Sequence, residues 1–245
     1  MPEMEGGPEY IELMFSELLA RATAALPSQC AVCRAWPSQP LCDACVARFA
    51  QPVPRCQTCA LSVRAGVIRC GECLAAPPPL DACHAAVSYG WPWSGCVSAY
   101  KFGGDPGWAA TLATLLLSTP WVEPALERCD LVLPMPLSAQ RLRERGFNQA
   151  LELARRLAPA KADAGLLLRI RDTAPQTTLK RAERLRNVKS AFAIAPLRRA
   201  ALHRKDVVLV DDVMTSGASL FTAAAALRQA GASRVTALVV ARTED

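Results

Sequence analysis

Residues 206–219 read DVVLVDDVMTSGAS, an apolar run that passes straight into two acids and a Thr-Ser-Gly turn. The alanine-rich stretch behind the turn, 220–230, suits a helix. Strand, polar turn and helix in that order point to an α/β layer architecture, and open α/β sheets bind ligands at the C-terminal ends of their strands. Asp211 and Asp212 stand at that end, where they can reach a diol or a metal. The amides of Thr215, Ser216, Gly217, Ala218 and Ser219 open the helix, where unpaired N–H groups bind phosphate. A diol beside a phosphate describes a ribose phosphate. The competing reading is a buried strand, an Asp-rich turn and a capped helix with no ligand.

The rest of the sheet is legible on either side of this unit. Residues 83–89, 130–133, 166–170 and 234–240 read as further strands, with 191–194 as an edge strand. Helical runs are expected at 94–102, 108–117 and 148–158. Pro134, Met135, Pro136 and Leu137 follow the second strand directly, and Arg141, Arg143 and Arg145 come next. Guanidinium groups match phosphate oxygens in a planar fork. Arg141 and Arg145 are the candidates, and Arg143 reads as helix surface. Lys101 sits just before Gly103-Gly104 and is a further candidate to meet phosphate.

Of the eleven cysteines, eight come as four C-x2-C pairs: Cys30/Cys33, Cys42/Cys45, Cys56/Cys59 and Cys70/Cys73. A C-x2-C turn presents two thiolates to one ion, and two such turns complete a tetrahedral S4 site. Eight ligands therefore imply two structural zinc ions. Iron–sulfur chemistry and redox thiols are the alternatives, and four repeats without a thioredoxin-like context disfavour the latter. The ribbons can close sequentially or interleaved; the short gaps favour the sequential arrangement. Cys83, Cys96 and Cys129 are left out of the ligand set. The metal replaces an apolar core that so short a segment cannot supply. Residues 1–27 read as a tail and an amphipathic helix, 28–76 as the double ribbon, Ala75 to Pro79 as a stiff linker, and 80–245 as the α/β domain.

The chain carries a formal charge of +6, unevenly spread. Residues 141–205 hold 17 Arg or Lys against 5 Asp or Glu, a net of +12. Such a segment suits nucleic acid or a heavily phosphorylated small ligand, or is ordinary solvated helix surface. No apolar run approaches the roughly 20 residues of a membrane span, and the N-terminus lacks a basic leader, so a cytoplasmic protein is expected.

VVLVDDVMTSGAS resembles the phosphoribosyl-pyrophosphate motif of type I phosphoribosyltransferases. By that resemblance Asp211 and Asp212 hold the ribose hydroxyls, and Thr215 to Ser219 wrap the 5′-phosphate. Pro134 to Leu137 occupy the place of the pyrophosphate loop. Residues 171–191 stand where related enzymes have a loop that closes over the reacting centre, with Lys180, Arg181 and Arg184 as candidates to meet pyrophosphate. The four C-x2-C pairs, Lys101-Phe-Gly-Gly104, Pro134-Met-Pro-Leu137, Arg145-Gly-Phe-Asn-Gln149 and the Asp211–Ser219 segment together resemble the ComF family. That family fuses a double zinc ribbon to a type I phosphoribosyltransferase-like domain and is linked to natural competence. The resemblance implies a phosphoribosyltransferase-like protein that binds phosphoribosyl pyrophosphate with Mg²⁺ and transfers the phosphoribosyl group to a nitrogenous acceptor. Asp211, Asp212 and Arg145 would carry the chemistry. Single-stranded DNA and a DNA-processing or helicase protein are the implied partners. A non-catalytic sensor of a phosphorylated ribose that binds single-stranded DNA or a protein through its ribbon and basic segment is the alternative. Trp91 and Trp93 could stack on an acceptor base, but core or interface packing is the favoured reading.

Overall fold

The computed structural model describes residues 28–170 and 191–244. The chain divides into two compact units, one ending at Cys45 and the other beginning at Val46. In the smaller unit, Ser28 and Ser38 exchange both backbone hydrogen bonds at 2.7 Å, and the Cys30 amide donates to Ala35 O at 3.0 Å. Among its described residues, the buried apolar ones are Cys30, Leu41 and Cys45.

The larger unit is built on a four-stranded, wholly parallel sheet in the order β1-β6-β5-β2. Strand β1 is Ala82–Ser88, β2 Leu131–Pro134, β5 Asp206–Met214 and β6 Arg234–Arg242. Burial follows position in the sheet. Edge strand β1 alternates half-buried and buried residues, the mark of a strand with one covered face. Central strand β6 is buried from Val235 to Arg242, and Val207 to Val210 of β5 are buried in succession, as strands covered on both faces must be. Strands β3 (Leu167–Arg169) and β4 (Phe192–Ile194) form a separate antiparallel pair.

Parallel strands need crossovers, and helices supply them. Helices α1 (Asp43–Phe49) and α2 (Gly71–Ala75) precede the sheet; those that follow β1 are α3 (Trp93–Phe102), α4 (Trp108–Leu117), α5 (Val122–Arg128), α6 (Ala139–Arg145), α7 (Gln149–Leu157) and α8 (Ala218–Gln229). Helix α8 links β5 to β6 and buries Ala218, Leu220, Ala223, Ala224 and Leu227. It stops at Gly231, whose φ of +107° is left-handed, and the Ala232 amide closes the end on Leu227 O at 3.1 Å. Helix α5 lies outside the helical runs expected from the sequence, and α6 carries Arg143, expected as helix surface.

The second cysteine quartet belongs to the core of the larger unit. Cys56, Cys59, Cys70 and Cys73 share one buried cluster with Leu209 of β5, Val239 of β6 and Leu220 of α8. No helix among the described residues is long and apolar enough to cross a membrane.

Candidate functional site

Strand β5 is longer than its apolar run. It stays paired with β6 as far as Met214, so Asp211 and Asp212 lie within the strand and not in the turn that follows. Its pairing with β2 ends at Pro134 opposite Val210. After the Met135 amide bonds Val210 O at 2.9 Å the chain leaves the sheet, which opens space beside the two acids. A cleft of about 650 Å³ fills that space. Twelve of the expected residues line it: Lys101, Met135, Pro136, Leu137, Arg141, Arg145, Asp211, Asp212, Thr215, Gly217, Ala218 and Ser219. Pro134 is the buried end of β2, and Ser216 turns its hydroxyl to the Ala218 amide at 3.5 Å. Arg181 and Arg184, with Lys180 and the expected closing loop, lie outside the described residues, as does the expected N-terminal helix.

Neighbouring helices bring cations to Asp212, which is buried. Lys101 Nζ, near the end of α3, lies 2.9 Å from Asp212 Oδ1, and Arg145 Nη1, the last residue of α6, lies 3.9 Å from Oδ2. Lys101 therefore meets a carboxylate in this structure, where the sequence reading aimed it at phosphate. Helix α6 starts on a Ser138 cap whose hydroxyl accepts from the Arg141 amide at 3.2 Å. Residues four apart share a helix face, so Arg141 and Arg145 both reach the cleft.

Asp211 Oδ1 accepts from the Asp212 amide at 2.9 Å. Burial pushes the Asp211 carboxyl up, the Asp212 charge adds to it, and Lys101 and Arg145 oppose; it rests at about 7. Asp211 and Asp212 offer carboxylate oxygens at the cleft, the ligand type that hard divalent cations take.

The turn between β5 and α8 requires a glycine. Gly217 has φ +76°, and a Cβ there would lie 2.5 Å from Met214 Cε and 2.6 Å from Phe221 Cζ. The first turn of α8 leaves amides for an anion at the same edge of the sheet.

Several residues on the cleft wall stand inside the quoted motifs without a site role read from the sequence. Gln149 is 1% exposed; its Oε1 accepts from Arg145 Nη1 at 3.0 Å, its backbone oxygen from Tyr100 at 2.7 Å, and its Nε2 has no partner. The spacing of Arg145 and Gln149 within RGFNQ was the available signal. Asn148 caps α7 and donates to Met135 O at 3.1 Å, which ties the 134–137 loop to that helix. Phe102 lies under the Arg145 guanidinium at 5.3 Å and is the aromatic on the cleft wall. Trp91 and Trp93 do not line the cleft. Trp93 is buried with its indole donating to Phe49 O at 3.1 Å, and Trp91 meets Phe49 edge-on at 4.9 Å. A second cavity of about 600 Å³ opens along β1, and Cys56 alone of the expected residues lines it.

The paired cysteines group sequentially. Cys30, Cys33, Cys42 and Cys45 form one set and Cys56, Cys59, Cys70 and Cys73 the other, with all sulfurs of each set within 4.8 Å. Four sulfurs at ~2.3 Å from one zinc would stand ~3.8 Å apart. The observed separations are 3.9 Å for Cys30–Cys45, 3.6 Å for Cys33–Cys42 and 3.7 Å for Cys59–Cys70. Both sets therefore fit a tetrahedral ion. Burial pushes the Cys30 thiol up, but the amides of Cys33, Cys42 and Val32 outweigh it and lower it to about 6. The same contest, with amides of Cys70, Cys59 and Thr58, lowers Cys56 to about 7. One thiol of each set is thus lowered, while burial pushes Cys45 up to about 12 and Cys59 up to about 11.

Comparison with known proteins finds close relatives over most of the chain. It is 33% identical over 227 residues to the DNA utilization protein YhgH of Salmonella typhimurium, covering 89% of this chain and 98% of that protein. The YhgH protein of Escherichia coli K12 is 29% identical over the same shares. Competence protein F of Haemophilus influenzae is 30% identical over 210 residues, covering 82% of this chain and 90% of its own. No family model matches the chain. Among solved structures, the allosteric regulatory enzyme of purine biosynthesis aligns with a TM-score of 0.35 at 19% identity. Glutamine phosphoribosylpyrophosphate amidotransferase from B. subtilis gives 0.36 at 20%. Each alignment covers 59% of this chain and 30% of the other, and likenesses this weak carry no weight for function.

Proposed function

Because the chain belongs to the ComF family, that of Competence protein F and DNA utilization protein YhgH, we propose that it is a phosphoribosyltransferase-like protein of DNA utilization. Its ligand is phosphoribosyl pyrophosphate with Mg²⁺, and its acceptor is a nitrogenous compound. One observation carries this reading. The Asp211–Asp212 pair stands between two loops, 134–137 and 215–219, that line one cleft with Lys101, Arg141 and Arg145.

In this reading Asp211 and Asp212 accept from the ribose hydroxyls and the amides of 215–219 hold the 5′-phosphate. The 134–137 loop and the arginines take the pyrophosphate. The anomeric C–O bond breaks with its electron pair leaving on pyrophosphate, the acceptor nitrogen's lone pair forms the new bond, and the acceptor's proton goes to solvent. Positive charge builds on the ribose ring, where the two carboxylates favour it, and negative charge on the leaving group, where Arg141 and Arg145 favour that. Bound Mg²⁺ supplies further charge neutralisation on the pyrophosphate. The two cysteine quartets each hold a structural zinc.

Calorimetric titration with phosphoribosyl pyrophosphate and Mg²⁺ tests the ligand, and pyrophosphate release with a panel of nitrogenous acceptors tests the reaction. Absence of binding would sink both. Binding without release from any acceptor would leave a ligand sensor. The affinity should also depend on pH. A carboxyl held up at about 7 is largely protonated at pH 6 and ionised at pH 8, and only the ionised form accepts freely from a diol. Affinity should therefore rise as pH passes upward through about 7. A flat profile from pH 6 to pH 8 would show that Asp211 does not meet the ribose.

A further inference from the structure

Arg242, the last residue of β6, is buried at 4% exposure. A buried guanidinium is costly unless its donors are used. Among the described residues they go to oxygens of three residues, none of them a carboxylate. Nε donates to Cys59 O at 2.9 Å, and Nη1 reaches Met214 O at 3.4 Å and both oxygens of Thr243. Cys59 belongs to the second quartet. Met214 is the last residue of β5, directly before Thr215. One side chain therefore joins the backbone of a cysteine ligand to the point where the candidate phosphate loop begins.

Other contacts reinforce the link. Met214 O accepts a second donor, the Thr243 amide, at 3.1 Å. The Met214 thioether meets the Cys83 thiol at 3.6 Å, and its methyl occupies the space where Gly217 would carry a Cβ. Movement of the Cys59 carbonyl would thus pass through Arg242 to Met214 and to Gly217. Charge adds a reason for a cation here, because four thiolates around a divalent ion leave a net negative centre. The 134–137 loop is attached differently, through Val210 O and Asn148.

We propose that Arg242 is a positioning residue that locks the 215–219 loop onto the second cysteine quartet, which makes that quartet the rear support of the 5′-phosphate site. The proposal rests on the reading of 215–219 as a phosphate loop. It assigns the two quartets different roles, the second serving ligand binding and the first not.

The test compares two ligands on the full chain. In Arg242→Met, calorimetry should show ribose 5-phosphate affinity weakened about tenfold, while pyrophosphate with Mg²⁺ stays within about twofold. Hydrogen exchange should quicken over residues 213–221 and not across β2. Arg242→Lys, which keeps the charge but lacks the planar fork that sets Nε and Nη1 on different carbonyls, should fall between wild type and Arg242→Met, and it carries the comparison if Arg242→Met does not fold. Cys33→Ser, in the first quartet, should lose metal and leave both affinities unchanged. Wild-type affinity for ribose 5-phosphate in both Arg242 variants would overturn the proposal, as would equal losses for both ligands, which mark general packing. Wild-type protein that ignores ribose 5-phosphate would instead refute the ligand assignment, and the exchange over 213–221 would still decide whether Arg242 holds the loop.

Discussion

Asp211→Asn and Asp212→Asn should each cost at least about tenfold in affinity for a ribose phosphate, yet shift stability in opposite directions. Each carboxylate is asked to accept from a ribose hydroxyl, and a hydrogen bond to a charged group contributes about 1.5–3 kcal/mol. The stability effects separate because the two acids have different neighbours. Asp212 is buried and paired with Lys101 at 2.9 Å, with Arg145 at 3.9 Å. Asparagine there leaves two cations without their carboxylate, and removal of one partner of a buried pair destabilises by about 3–5 kcal/mol. Partial exposure of Lys101 reduces that to about 1–3 kcal/mol. Asp211 has no ion pair among the described residues, and burial beside Asp212 holds it up at about 7. A carboxyl raised in the folded state contributes stability below its ordinary value near 3.8 and loses it as pH rises through about 7. Asparagine cannot ionise and escapes that loss. Asp211→Asn should thus match wild type at pH 4 and melt higher at pH 8. Melting curves at both pH values and calorimetry on the single and double variants give the readings. Unchanged affinity in the double variant would reduce the acids to strand-end structure and remove the ribose assignment.

Loss of metal from the second quartet should unfold the larger unit, whereas loss from the first should not. Cys56 is wholly buried in the cluster that contains Leu209 and Val239, so Cys56→Ser disturbs metal and sheet core together. A structural zinc site contributes on the order of 10–16 kcal/mol, against about 5–15 kcal/mol for the whole stability of a domain. Cys33 is exposed in the unit that ends at Cys45. Elemental analysis should find about two zinc per chain in wild type and about one in either variant. Calorimetric melting should keep the main transition in Cys33→Ser and lose it in Cys56→Ser. Equal melting of the two variants would contradict the shared core, and iron in place of zinc would overturn the metal assignment.

Local pattern carried much of this protein into view. The apolar run 207–210, the acids behind it and the glycine turn are contiguous, so strand, turn and helix could be read without a partner. The C-x2-C pairs are equally local, because each knuckle closes on itself. The glycine at 217 was explicable as turn chemistry, although its conflict with Met214 and Phe221 is visible only when packed.

What the tertiary structure decided depends on residues far apart in the chain. Asp211 and Asp212 are strand residues because β6 pairs with β5 through Met214, and no spacing within 206–219 reports the length of its neighbour. Lys101 reaches Asp212 because α3 is brought to the open side of β5, so a lysine aimed at phosphate by its glycine neighbours meets a carboxylate. Spacing left two ways to group eight cysteines, and the sulfur positions select the sequential one. Arg242 falls beyond the strand read at 234–240, yet it ends β6 with its guanidinium buried between Cys59 and Met214. Periodicity and turn chemistry are written in neighbouring residues and survive in sequence alone; ion pairs and buried cations are set by which strands the topology places side by side.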